Sequence, residues 1–469
     1  MRAFAAGRRP AWLAGSVLLA VTVAGTVSCS SRVPGGGQFV PPGLHDLHRC
    51  AQAPGFTCGE LTVPLDPSDA AASRLTLQVG LSAAAFAPRG VLVFLTGGPG
   101  EPGVPFLPRI AARLGSALAG YRLVMFDQRG TGADALNCPA LQQVMGASDL
   151  TVPSVTAVRQ CAAAIGPRRR FFATTDTVAD IEALRRALGV PKLSLDGVSY
   201  GTYVAEQFAL THPAEVTRLV LDSVVPNANV DPLQLANMRD SARVLRAVCA
   251  AQRCGYDPAA DVAIVVRRYH DGPALLDTLV ALSVGAPTFP GVLAALHAAA
   301  AGQPAALQHL IRQVHAADAA TAGELSQGLH ASTLCADLTM PWGGPQTPLA
   351  ARGPALARVV AGLTPAQTWP FDRATAAGNG FIQTCLYWPP EPLAARPVPA
   401  STRLPPVPLL ILAGGRDLST PIEEDRAELA LAPGGRLFYV PTAGHSVQNR
   451  AAGDPALRQL GPFLHAALR

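Results

Sequence analysis

The chain has 469 residues, of which 49% are hydrophobic and only 15% charged. That is enough for one large domain with an insertion, or for two domains, and it excludes disorder outside the ends. The net charge of +5 is carried by dispersed arginines, Lys192 being the only lysine; with no basic stripe and no interleaved aromatics, a nucleic-acid surface is excluded.

In chain order, the first expected element is a targeting segment over 1–29. Arg2, Arg8 and Arg9 precede an apolar run from Ala11 to Val27. That run has the length of a signal core and is short for a membrane span. Thr26-Val27-Ser28-Cys29 resembles a lipobox, so membrane attachment is expected through a lipid on Cys29, ordinary cleavage nearby being the alternative. A tether rich in Gly and Pro follows over 30–48, and regular structure is expected from near Phe56. Short apolar strands are predicted at Leu75–Val79, Val91–Leu95, Leu123–Phe126, Leu193–Leu195 and Leu219–Leu221. Helical spacing of Val178, Ile181, Leu184 and Leu188, with Gly189 as stop, predicts a helix over Thr177–Leu188. A second helix is predicted over Tyr200–Leu210, ahead of His212-Pro213. From about Asn227 to Arg403 the pattern changes to helical segments rich in Ala and Leu. Strand pattern returns at Pro408–Leu412 and Arg436–Val440, and a closing helix is expected over Pro455–Leu468.

Strands alternating with helices imply an α/β fold with a mostly parallel sheet. The expected division is a core in two parts, 49–226 and 404–469, with a largely helical cap inserted over 227–403. Nine cysteines are present, and setting Cys29 aside leaves an even eight. In an exported chain an even set suggests disulfides, whose connectivity sequence cannot fix. Short-range pairing suggests Cys50–Cys58, Cys138–Cys161, Cys249–Cys254 and Cys335–Cys385. No Cys-x-x-Cys or Cys/His cluster suits zinc, and no metal or organic cofactor is expected.

The chemistry centres on Leu193-Ser-Leu-Asp-Gly-Val-Ser-Tyr-Gly-Thr202. A strand, a Gly-x-Ser-x-Gly turn and a helix would hold the Ser199 hydroxyl exposed above a sheet end. Serine needs an adjacent base to act as a nucleophile. In the order Ser, acid, His, the downstream candidates are Asp417, after Leu410-Ile-Leu-Ala-Gly-Gly-Arg, and His445, after Tyr439-Val-Pro-Thr-Ala-Gly. Each is expected just past a strand. A developing oxyanion would be met by the backbone N–H groups of Gly98, in the glycine-rich turn after Val91–Leu95, and of Tyr200.

Several ordered motifs carry a resemblance. Thr96-Gly-Gly-Pro-Gly100, Phe126-Asp-Gln-Arg-Gly-Thr-Gly132, Gly197-Val-Ser-Tyr-Gly-Thr202 and Gly415-Arg-Asp-x-x-Thr-Pro421 resemble the prolyl iminopeptidase and tripeptidyl aminopeptidase group of serine peptidases. Phe172-Ala-Thr-Thr, Leu184-Arg-Arg-Ala-Leu-Gly189, Cys335-x-Asp337 and Cys385-x-x-Trp388-Pro389 extend the likeness over roughly residues 50–465. The resemblance implies an α/β-hydrolase core with a helical cap, and release of residues or short peptides from substrates with a free amino terminus. Two positions depart from the pattern: Thr96 stands where iminopeptidases have His, and Glu101-Pro-Gly-Val follows Gly100 where relatives have Gly-Ser-Gly. Asp337 and Glu101 are the candidates for the substrate's ammonium group. Asp127 and Arg129 are expected to brace their loop, and Thr420 to position the acid loop or cap a helix before Pro421. The expected function is therefore an exported serine aminopeptidase of the cell envelope or medium. The alternatives are a cell-envelope esterase or lipase on the same fold, and a binding protein that keeps the fold without catalysis.

Overall fold

Among the described residues, nine strands form one sheet: β1 (His45–Arg49), β2 (Phe56–Pro64), β3 (Arg74–Ser82), β4 (Gly90–Leu95), β5 (Tyr121–Phe126), β6 (Leu193–Val198), β7 (Val216–Asp222), β8 (Leu409–Gly414) and β9 (Gly435–Val440). This computed structural model describes residues 41–51, 53–69, 71–83, 87–392, 398–450 and 455–467. Cys29, the expected signal segment and most of the expected tether lie outside them. The spatial order is β1-β2-β3-β5-β4-β6-β7-β8-β9. β1, β2 and β3 run antiparallel, and β3 pairs antiparallel with β5. From β5 through β4, β6, β7 and β8 to β9 every pairing is parallel.

The parallel strands are apolar because both faces are covered. On β4, Val91, Val93 and Leu95 join one cluster with Val178, Ile181 and Leu184. Leu92 and Phe94, pointing the other way, join another with Leu107, Ile110 and Leu464. The period of two thus sorts one strand's side chains into two layers. Helices Thr174–Ala187 and Tyr200–Thr211 cover the first face, and Leu107–Leu114 with Leu457–His465 the second.

Between β7 and β8 the chain is helical, from Leu235–Gln252 to Gly380–Tyr387. These helices build their own apolar cluster, which also takes in Leu141, Met145 and Val158 from the helices Pro139–Met145 and Val155–Ile165. The helical layer thus draws on chain before Ser199 as well as after it. It is fastened to the loops at the carboxyl ends of the strands. Ser326 N–H donates to Gly100 O (3.0 Å), His445 N–H to Ser283 O (3.1 Å), and Asn237 Nδ2 to Leu418 O (2.8 Å).

The predicted strands all form, mostly one to three residues longer than their apolar runs. The helix expected from Thr177 begins at Thr174, where the Asp176 carboxylate accepts the Ala173 N–H (3.0 Å) and starts the first turn earlier. The closing helix covers Leu457–His465, shorter than expected. β1 was not expected: all five of its residues are exposed, so it carries no apolar alternation. Its place is set by backbone pairing to β2. Four disulfides join the cysteines in the short-range pairing, Cys50–Cys58, Cys138–Cys161, Cys249–Cys254 and Cys335–Cys385.

Candidate active site

Ser199 sits between β6 and the helix Tyr200–Thr211 with φ 57° and ψ −128°. A non-glycine residue there stores strain on the order of 1–3 kcal/mol, held by its surroundings. Those surroundings are tight. A Cβ on Gly197 would lie 2.4 Å from Gly201 O, and one on Gly201 would lie 2.3 Å from Leu95 O. Ser199 N–H donates to Asp222 O (3.0 Å), and the Thr202 hydroxyl caps Ser199 O (2.6 Å). The turn leaves Ser199 partly exposed between buried neighbours.

Asp417 follows β8 through Gly415 and Arg416 and is fully buried. Its Oδ1 accepts the N–H groups of Ser419 (2.8 Å) and Thr420 (3.0 Å). Its Oδ2 accepts the Thr420 hydroxyl (2.8 Å) and His445 Nδ1–H (2.8 Å). Burial works to raise its pKa. The charge of His445 and the bonds from His445 and Thr420 outweigh burial and hold the carboxyl below its usual range. The carboxylate fixes the proton on Nδ1 and leaves Nε2 as the basic nitrogen. Thr420 therefore serves the acid directly, with two of the four bonds.

The loop carrying His445 is held from below by residues the sequence reading did not single out. Asp222, at the end of β7, accepts Val447 N–H on Oδ1 (2.8 Å) and Gln448 N–H on Oδ2 (2.7 Å). Ser223 Oγ accepts Ser446 N–H (2.8 Å), and Gln448 Nε2 donates to Asp196 Oδ1 (2.7 Å). Burial pushes Asp222 up to about 6, with the two backbone donors pulling the other way. A strand ending in a carboxylate was the available signal, but it looks like any strand end.

Gly98, Ser199 and Tyr200 line one cavity. Gly98 has φ +105°, and among the described residues neither its N–H nor that of Tyr200 has a hydrogen-bond partner. First-turn N–H groups are free by helix geometry, which explains Tyr200. Gly97 approaches closely too: a Cβ there would lie 3.1 Å from Ser199 Cβ. Its N–H is taken by Glu101 Oε2 (3.2 Å). Below this loop, Asp127 Oδ1 accepts Gly103 N–H (2.9 Å) and Val104 N–H (2.8 Å). Arg129 is fully buried in a two-pronged pair with Asp180, 2.7 Å on each bond, and also donates to Leu65 O and Phe171 O. Both side chains brace backbone, as expected.

Ser199 and His445 line a second, adjoining cavity of about 130 Å³. The two cavities share Gly98, Asp149, Ser199 and Ser419. The first is walled by Leu150, Val225, Val280 and Phe381, the second by polar groups including Glu101 and Arg109. Glu101 thus reaches the site. Asp337 is not among the residues lining either cavity. Its Oδ2 accepts both the N–H (3.0 Å) and the hydroxyl (2.6 Å) of Thr174, whose Oγ1 also meets the Tyr200 hydroxyl (2.7 Å). Asp337 therefore stands behind Tyr200, and burial pushes its pKa to about 7. The carboxylate at the junction of both cavities is Asp149, which sequence reasoning missed. No group of three or more His, Cys, Asp or Glu suited to a metal occurs among the described residues. Nor is any described helix long and apolar enough to cross a membrane.

The family described as the alpha/beta hydrolase fold matches residues 90–449. A tripeptidyl aminopeptidase of Streptomyces coelicolor is 30% identical over 188 residues, which are 36% of this chain and 35% of that protein. The serine protease Hip1 of Mycobacterium tuberculosis is 30% identical over 250 residues, 48% of this chain and 47% of that one. A Streptomyces coelicolor protein named "Probable proline iminopeptidase" is 32% identical over 139 residues, 30% of this chain and 34% of its own. The chain thus spans a third to a half of the length of these curated relatives.

Proposed function

The chain belongs to the alpha/beta hydrolase family, and from that premise we propose that it is an exported serine peptidase releasing short peptides or residues from the free amino terminus of peptides. Ser199 is the nucleophile, His445 its base and Asp417 the group that orients the imidazole. Ser199 Oγ attacks the scissile carbonyl carbon while His445 Nε2 takes its proton. Asp417 stabilises the resulting imidazolium without accepting the proton. The N–H groups of Gly98 and Tyr200 hold the oxyanion. As the tetrahedral species collapses, His445 gives the proton to the departing amine and an acyl-serine remains. Water then gives a proton to His445 and attacks the acyl carbon; the N-terminal fragment leaves and Ser199 regains its proton. Export with a lipid on Cys29, and a cap formed by residues 227–403, belong to the same proposal; the four disulfides favour an oxidising compartment.

The observation that supports this reading most is the 2.8 Å bond from His445 to buried Asp417, on a histidine that shares a cavity with a serine in a strained turn. The names of the relatives favour peptides over simple esters as substrates. The test is turnover by the purified protein of a free-amine peptide, its N-acetylated twin and a panel of short acyl esters. Faster cleavage of the free-amine peptide is expected. Equal rates on both peptides would make it an endopeptidase, and turnover of esters alone would make it an esterase.

A further inference from the structure

Asp149 and His330 form a pair in the wall of the candidate site that neither the triad nor the oxyanion donors use. Asp149 lies between the helices Pro139–Met145 and Val155–Ile165, and His330 on the helix Gln327–Asp337. The His330 side chain is 3% exposed and that of Asp149 31%, the latter opening on the cavities beside Ser199.

His330 is held in place by its contacts. His330 Nδ1 faces Pro99 O at 3.0 Å, and a carbonyl oxygen only accepts, so Nδ1 carries hydrogen. His330 Nε2 lies 3.3 Å from Asp149 Oδ1 without hydrogen-bond geometry, and no other group takes it. Burial works to keep Asp149 protonated, with His330 and His445 opposing it and Asp277 and Glu101 reinforcing it.

A cation entering the cavity changes that balance. Two carboxylates, Asp149 and Glu101, face the space beside Ser199. Glu101 Oε2 already accepts the Gly97 N–H (3.2 Å), which leaves Asp149 the less committed of the two. A primary ammonium carries a positive charge and can donate to Asp149 directly. Arg109 also lines the larger cavity, with its guanidinium 4.6 Å over the Phe106 ring. The Pro99 contact ties His330 to the loop that carries Gly98, so the group orienting Asp149 also holds the oxyanion turn.

We propose that Asp149, oriented by His330, is the specificity-determining residue that receives the substrate's ammonium group beside Ser199. The proposal rests on the aminopeptidase reading and adds to it the residue that does the selecting. Asp337, with its carboxylate committed to Thr174, is relieved of that role.

The experiment compares kcat/KM for a free-amine peptide and its N-acetylated twin in three proteins: wild type, Asp149→Asn and His330→Gln. Wild type is expected to prefer the free amine. In Asp149→Asn that preference should fall by ~100-fold, the usual scale for losing a buried charge partner, with the change mostly in KM. His330→Gln should lower it by a smaller factor, since Gln can still donate to Pro99 O without carrying charge. Asp149→Glu, which keeps the charge, should retain preference for the free amine. The ratio within each protein cancels general damage. If wild type shows no preference, the aminopeptidase reading itself fails. If wild type shows it and Asp149→Asn keeps it, the assignment of Asp149 is overturned. Loss of the cooperative thermal transition in both Asp149 variants would make Asp149 a folding residue, and would overturn it equally.

Discussion

The candidate site is made by two regions that differ in how tightly their polar groups are used. On the sheet side, Asp417 accepts four hydrogen bonds, and Asp222 accepts two backbone N–H groups from the loop after His445. On the helical side, Asp149 lies 3.3 Å from one imidazole nitrogen and lines both cavities. A carboxylate whose lone pairs are filled by the fold can orient a neighbour but has nothing left for a ligand. A carboxylate left underused beside a cavity can take one. The proposed mechanism divides positioning and recognition between the two sides in this way.

The largest expected effect falls on the sheet side. Asp417→Asn should leave the fold in place and lower kcat ~10,000-fold, because the amide no longer fixes the His445 proton on Nδ1. Stopped assays on the free-amine peptide measure it. A loss smaller than about tenfold would mean that Asp417 only caps its loop through Ser419 and Thr420.

Next comes Asp222→Asn. The amide keeps one acceptor and strands one of the Val447 and Gln448 N–H groups, and an unmet buried donor costs about 1–3 kcal/mol. If that cost appears as displacement of the histidine loop, kcat should fall roughly tenfold with KM little changed. A drop in thermal midpoint with kcat intact would instead make Asp222 a purely structural group, and the sheet side less specialised.

The sheet side was also the more legible one. Each of its candidate loops follows an apolar strand and a glycine turn, as at Gly197-Val-Ser199 and Gly414-Gly-Arg-Asp417, so local pattern and the order Ser, acid, His singled out Ser199, Asp417 and His445. Backbone geometry did that work: a Cβ on Gly201 would lie 2.3 Å from Leu95 O, and one on Gly414 2.2 Å from Gly444 O. Asp149 and His330 had no such signal. They lie far apart in the chain, Asp149 in a loop and His330 on a helix, and only tertiary packing brings them together. Asp337 misled for a related reason. Its neighbour Cys335 fixes its helix to the Gly380–Tyr387 helix through Cys385, but which way the carboxylate faces depends on Thr174, from the other half of the fold. β1 was invisible because an exposed strand paired on one side needs no apolar residues.

The smallest effect concerns Asp337 and pH. Its pKa in the fold, about 7, is raised above that of an unfolded carboxylate by burial. The fold therefore binds this proton more tightly than the unfolded chain does. Its contribution to stability is complete below the ordinary carboxylate pKa and is lost as pH rises through about 7. Asp337→Asn keeps an acceptor for Thr174 and cannot titrate. Between about pH 5 and about pH 8 the thermal midpoint of wild type should decline relative to the variant. Parallel curves would show that Asp337 does not hold its proton in the fold.

The central claim is that Ser199 is the nucleophile and that His445 and Asp417 activate it. The most direct measurement is covalent labelling with a fluorophosphonate, followed by peptide mapping of the modified protein. The expected result is a single adduct, on the peptide containing Ser199, absent from Ser199→Ala and formed far more slowly in Asp417→Asn. Labelling at another residue, or undiminished peptide turnover by Ser199→Ala, would contradict the account.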